Sequence, residues 1–123
     1  MTDARSEWRR CRPWIEAALR RSHGTHGIED IEAGILRGDF QFWARARSAA
    51  VTELNRFPKL TALTFFLVGG DLRELTQALE PQIVAWARRQ GATKVIQFGR
   101  RGWLRVLEPL GYRPLFAGFS KEI

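Results

Sequence analysis

One cysteine (Cys11), one tyrosine (Tyr112) and two histidines (His23 and His26) are all that this chain offers of three reactive residue types. A lone cysteine excludes an internal disulfide framework and fits a reducing compartment. No Cys/His group has the spacing of a zinc site, so no metal is expected. No apolar run approaches the ~20 residues needed to span a bilayer. The opening stretch, MTDARSEWRR, has no apolar segment after its charges and does not read as a secretory signal. These absences set the expectation of a cytoplasmic protein with no membrane association. Repeats and low-complexity segments are absent as well.

Arginine is what the chain has in plenty, and it dominates a net charge of +7. Residues 1–22 carry six arginines against three acids, residues 23–87 six basic against eight acidic, and residues 88–123 eight basic against two acidic. Two basic ends therefore flank a slightly acidic middle. Such charge serves solubility, or contact with phosphate in a nucleotide cofactor or in nucleic acid. With 45% hydrophobic residues, 123 residues can bury one core. A single domain over residues 1–123 is the expectation.

The apolar spacing gives the order of elements. SEWRRCRPWIEAALRR reads as a helix capped by Ser6, with Trp8, Cys11, Ile15 and Leu19 on one face. Pro13 belongs early in a helix, which puts the regular part from Arg12 onward. IEDIEAGILRG is a second helix, with Ile28, Ile31, Ile35 and Leu36 inward and Gly38 at its end. DFQFWARARS then alternates, with Phe40, Phe42, Ala44 and Ala46 opposite Gln41, Trp43, Arg45 and Arg47. AAVTELNRF alternates again, with Val51 and Glu53 opposite Thr52 and Leu54, and LTALTFFLV is too apolar for an exposed edge. Short links make these three an antiparallel meander. In GGDLRELTQALEPQIVAWARRQG, Asp71 caps a helix with a stripe of Leu72, Leu75, Leu79, Ile83 and Trp86, closed by Gly91. Pro81 should kink or restart it. TKVIQFG is a fourth strand, GRRGWLRVLEPLG a last helix with Trp103, Leu107 and Leu110 inward, and YRPLFAGFSKEI a final strand. The class is α/β (α+β): an antiparallel meander followed by β-α-β-α-β in a mixed sheet, helices on both faces, with a right-handed crossover.

This order resembles the GNAT acyltransferases, the GCN5-related N-acetyltransferases. AAVTELNRFP, LVGGDL, IVAWARRQGATKV and FGRRGWLRVLEPLGYRPLFAGFSKEI are in register with the second half of that fold. The Gly111-Tyr112 pair sits where the family ends its penultimate helix in a glycine and an aromatic. Residues 39–123 match well and the first two helices loosely, while the family's first strand has no counterpart. Among GNAT-like proteins the chain looks most like small ones encoded in phage and prophage genomes.

The resemblance implies an acetyl-CoA donor lying where the third meander strand splays from its neighbour, its diphosphate on backbone N–H groups at the start of the long helix. A helix N-terminus suits that role, with unpaired donors and about half a positive charge. The residues at that place are Val68, Gly69, Gly70, Asp71, Leu72 and Arg73. The family's loop of Arg or Gln, two residues, Gly, one residue and Gly or Ala is replaced by VGGDLREL. Read without the resemblance, Gly69-Gly70 makes a turn and Asp71 caps the helix and takes its donors. Arg100 and Arg105, clustered with Arg101 around the start of the last helix, are placed to hold the 3′-phosphate of CoA or a nucleic-acid backbone, or simply to form a solvated basic face. The position of the family's tyrosine acid is Leu107, leaving Tyr112 as the one phenol, either core filler or acid. Glu53, on the Val51 face of its strand, is the candidate base, or an arginine-paired glutamate. His23 and His26 share a glycine-bearing loop without a third ligand. Trp43, with Arg45 and Arg47 beside it, packs under a helix or grips nucleic acid.

Three functions follow as expectations. The first is a GNAT-like N-acyltransferase moving acetyl from acetyl-CoA to an amine. The second is a phage-derived GNAT-fold protein with a degraded cofactor site, a binding module or virion component that contacts phage structural proteins. The third is a basic domain that holds nucleic acid weakly and without sequence preference.

Overall fold

The computed structural model describes residues 3–22 and 24–123. Helix α1 (Ala4–Leu19) starts on Asp3, whose carboxylate accepts from Ser6 N at 2.7 Å; Ser6 is not the cap. Pro13 lies inside this helix rather than near its start. The carbonyl it leaves unpaired belongs to the exposed Arg9, where water can reach it. Helix α2 (Ile28–Arg37) ends on Gly38, held at φ 84°. Ile31 is fully buried, but Leu36 is 89% exposed and not inward as its spacing suggested.

Four strands follow: β1 (Gln41–Ala44), β2 (Ser48–Arg56), β3 (Thr61–Gly70) and β4 (Lys94–Gln97). Their spatial order is β1-β2-β3-β4, antiparallel up to β3, with β4 parallel to β3. The crossover between β3 and β4 is α3, a continuous helical run over residues 72–89. It is α-helical at Leu72–Glu74, π-helical at Leu75–Leu79 and α-helical again at Glu80–Arg89. The widened turn ends at Leu79, two residues before Pro81, which cannot donate to a preceding carbonyl and would crowd it in a regular helix. Leu75, Leu79 and Ile83 are buried as expected, while Leu72 is 46% exposed. Helix α4 (Trp103–Leu107) continues as a 3-10 turn, Glu108–Leu110, that ends on Gly111 at φ 96°. The closing strand expected in YRPLFAGFSKEI is not formed, and residues 112–123 belong to no regular element.

The sheet separates two apolar cores, so helices lie on both of its faces. Ala50, Leu63 and Phe65 meet Leu75, Leu79, Ile83 and Ala87 of α3. On the other face Ala49, Val51 and Leu67 meet Cys11, Ile15 and Ile31 of α1 and α2. Trp43 packs edge-on against Trp86 at 5.3 Å, Arg45 bonds Gln82 at 2.8 Å, and Arg47 pairs with Asp71. That strand face therefore lies against α3 and is not free to grip nucleic acid.

One irregularity in β3 shapes the candidate site. Val51 pairs with Leu67 and Thr52 with Phe65, so Phe66 is an extra residue between them. Such a bulge re-aims a strand. β3 pairs with β4 only from Ala62 to Phe65 and then runs on to Gly70 alone on that side. The two parallel strands part at the bulge.

Candidate functional site

The gap left where β3 parts from β4 is lined by Phe65 and Val68 of β3, Leu75, Thr76, Leu79 and Glu80 of α3, and Gln97 of β4; Trp103, Leu107 and Leu110 close it. Its volume is ≈20 Å³, room for about one water molecule. The lining is apolar except at Thr76, Glu80 and Gln97. Trp103, Leu107 and Leu110 thus face inward as their helical spacing predicts, and they also form one wall of the cleft.

Tyr112 does not line the cleft but is tied to its wall, its hydroxyl donating to Glu80 Oε2 at 2.8 Å. Burial pushes the phenol well above its ordinary range, with the neighbouring carboxylate adding to the effect. Burial also raises the Glu80 carboxyl, against the lowering by the Tyr112 hydrogen bond. Tyr112 is therefore a neutral, tethered phenol. Glu80 was not singled out from the sequence. Its signal was spacing: Thr76, Glu80 and Ile83 stand four and three apart beside the buried leucine stripe.

The start of α3 is closed by the chain itself. Asp71 N donates to Arg47 O at 2.7 Å, and Asp71 Oδ1 accepts from Glu74 N at 3.1 Å. Glu74 Oε1 accepts from Arg47 N at 2.9 Å and from the Ser48 hydroxyl. The Arg47 guanidinium lies 3.5 Å from Asp71 and 3.8 Å from Glu74. A Cβ at Gly69 would stand 2.8 Å from Trp14 Cβ, and one at Gly70 would strike the Arg47 carbonyl and Ser48 Cα. Both glycines admit the protein's own backbone and side chains. The Gly-Gly turn with Asp71 as cap is what the structure contains. Asp71 N and Glu74 N are both spent on the chain's own oxygens, so they are not free for a diphosphate in the way the resemblance implies. Of the run from Val68 to Arg73, only Val68 lines the cleft. Arg73 is exposed, as are Arg100 and Arg105, and none of the three makes an ion pair among the described residues.

Glu53 lies elsewhere. It faces α2 and lines an open groove of ≈580 Å³ with Thr25, His26, Asp30, Arg37, Asp39 and Phe40. Thr25 Oγ1 and His26 Nδ1 are 2.7 Å apart, and Arg37 pairs with Asp39 at 2.9 Å. His26 also packs edge-on against the bulged Phe66, with centroids 5.0 Å apart. His23 lies outside the described residues. Glu53 and Tyr112 are on opposite faces of the sheet, so the two catalytic candidates are not brought together. No group of three or more His, Cys, Asp or Glu among the described residues could hold a metal ion. Nor is any described helix long and apolar enough to cross a membrane.

No family model matches the sequence, and no curated protein matches it. Solved structures do. A probable acetyltransferase superposes at a TM-score of 0.69 with 11% identity, covering 99% of this chain and 95% of the other. Glucosamine-6-phosphate N-acetyltransferase from Arabidopsis thaliana superposes at 0.62 with 15% identity and the same coverage. An acetyltransferase from Trypanosoma brucei superposes at 0.62 with 16% identity, covering 89% of each chain. Likeness at these identities is likeness of fold: this chain has the fold of the GNAT acetyltransferases.

Proposed function

We propose that the chain is a GNAT-like N-acyltransferase that passes an acyl group from a thioester, acetyl-CoA in the simplest case, to an amine. The parting of β3 from β4 carries this reading. Beyond Phe65 the β4 side of β3 has no strand neighbour, and the space beside it is walled by Leu75, Trp103 and Leu107. A thin, largely apolar arm suits such a slot, and the donor would supply a carbonyl open to attack. Opening the slot requires α4 to move outward, because ≈20 Å³ does not hold an acyl arm. Glu53, in the groove beside α2 on the other face of the sheet, would accept a proton only from an amine that meets the acyl carbonyl through the gap where β3 and β4 part. The diphosphate end has no counterpart site at the start of α3, and Arg100 and Arg105 are the cations left for it.

The closed start of α3 favours a second reading, in which the fold is kept as a binding module and the donor site is lost. Calorimetric titration with acetyl-CoA, paired with thiol release in the presence of primary amines, separates the two. Binding with amine-dependent thiol release supports the transferase. Absence of both sinks it and leaves the binding module. If binding occurs, Asp71→Asn locates the diphosphate: tighter binding places it at α3, and unchanged binding places it on the arginines.

A further inference from the structure

Among the residues that line the slot between β3, α3 and α4, Glu80 alone can ionise. It shares that space with Phe65 and Gln97, the last pair of the β3–β4 ladder, which puts it at the point where the two strands part. Leu107, at the position of the family's tyrosine acid, lines the same space and has no proton to give. Tyr112 has one, but its hydroxyl is spent on Glu80 and the residue does not line the slot. Among the described residues Tyr112 is the one side-chain hydrogen-bond partner of the Glu80 carboxyl, and no cation pairs with it. Neither β3, β4 nor α4 turns an ionisable group into the slot, so only Tyr112 and, along its own helix, Arg88 bear on its charge. Burial outweighs both, and Glu80 keeps its proton above the ordinary carboxyl range.

We propose that Glu80 is the general acid of the acyl transfer, handing its proton to the departing thiolate, and that Tyr112 positions it, an assignment that rests on the transferase activity proposed above. The amine nitrogen forms a bond to the thioester carbonyl carbon. The carbon–sulfur bond breaks with its electron pair on sulfur, and sulfur takes the proton from Glu80. The nitrogen's surplus proton passes to Glu53 or to water, and water restores the proton on Glu80. The walls supplied by Leu75, Leu79 and Trp103 make an unprotonated thiolate costly in the slot, so a neutral carboxyl there does what Leu107 cannot.

Steady-state rates of the full chain with acetyl-CoA and a primary amine, taken across pH for the parent, Glu80→Gln and Tyr112→Phe, test this. Infrared titration of the Glu80 carboxyl, identified by the band that Glu80→Gln loses, reads the same group with no donor present. Gln keeps an oxygen for the Tyr112 hydroxyl but carries no acidic proton. The parent should lose rate as pH rises through the folded value of Glu80, because the acid is then spent. Glu80→Gln should lower kcat about a hundredfold on the acid side of that limb, with KM unchanged. The deficit should narrow as pH rises, since the variant has no acid to lose. The Tyr112 hydroxyl favours the charged carboxyl, so Tyr112→Phe should move both the alkaline limb and the infrared titration to higher pH. A Glu80→Gln protein with the parent's rate, or with the same deficit at every pH, overturns the proposal and leaves the transferase standing. So does a Glu80 carboxyl that titrates in the ordinary range or is unmoved by Tyr112→Phe. A parent that releases no thiol in the presence of amine sinks the transferase itself, and the acid with it.

Discussion

Glu74 keeps only 10% of its side chain in contact with solvent, and its two oxygens face Arg47 N, the Ser48 hydroxyl and the Arg47 guanidinium. The Ser48 hydrogen bond is the main reason that its carboxyl is held below the ordinary value, with Arg47 contributing through its backbone N–H and its charge. Asp71 is lowered chiefly by the Glu74 N–H it caps. A carboxyl whose folded pKa lies below its unfolded one stabilises the fold at pH above the unfolded value, and that contribution is lost as pH falls through the folded value. The thermal midpoint should therefore drop on acidification below about pH 4.5. Glu74→Gln should melt lower than the parent at pH 7 but with a shallower acid limb, read by circular dichroism across pH. Equal acid limbs would show that these carboxylates are not coupled to folding. Glu80 works in the opposite sense: its raised carboxyl favours the fold at low pH, and that benefit fades as pH rises through its folded value.

At the level of elements, Gly69 and α4 separate packing from ligand recognition. Gly69→Ala pushes a methyl into Trp14 of α1, and overpacking of this kind costs roughly 1–3 kcal/mol. A drop in thermal midpoint without any ligand would confirm that this glycine serves the fold, and an unchanged midpoint would contradict it. Trp103→Ala removes a half-buried ring that walls the cleft and touches Gly99. Full burial would cost about 3–5 kcal/mol, so about half that is expected here. A fully stable Trp103→Ala protein that has lost only acyl-CoA binding would make α4 a ligand element first.

The π turn of α3 has a purpose of the same kind. Leu75, Leu79, Ile83 and Ala87 recur every four residues, a spacing that drifts about 40° per step around a regular α-helix. One slower-winding turn reduces that drift and keeps all four residues on the sheet.

The elements up to β4 were legible because apolar spacing and capping residues are local signals. The last strand was not, because pairing is decided by what lies alongside it, and the alternation in 115–123 says only that one side wants cover. The site was legible as a place, the end of β3 and the start of α3, but not as a chemistry. Whether glycines admit a ligand or a tryptophan depends on α1, far away in sequence.

On the scale of the whole molecule, Trp43, Arg45 and Arg47 are engaged with α3, so nucleic acid would meet mainly solvated arginines at the two ends of the chain. Arginine–phosphate contacts release counterions, and affinity then falls steeply with salt. Fluorescence anisotropy with DNA of several sequences should give weak, sequence-indifferent binding that is lost by ~200 mM salt. Binding that survives there with a sequence preference would move nucleic acid to the front. The turn between β1 and β2 ties the molecule together in another way. Arg10 of α1 donates to the Arg45 and Ala46 carbonyls at 2.9 Å, while Glu74 of α3 holds the next two residues from the opposite face. A three-residue connection, of the sort that usually frays first, thus joins the two helical layers through the sheet. The Arg45 and Arg47 amides, bonded to Ser48 O and Glu74, should exchange on the timescale of global unfolding rather than local opening, and the two cores should melt as one cooperative unit.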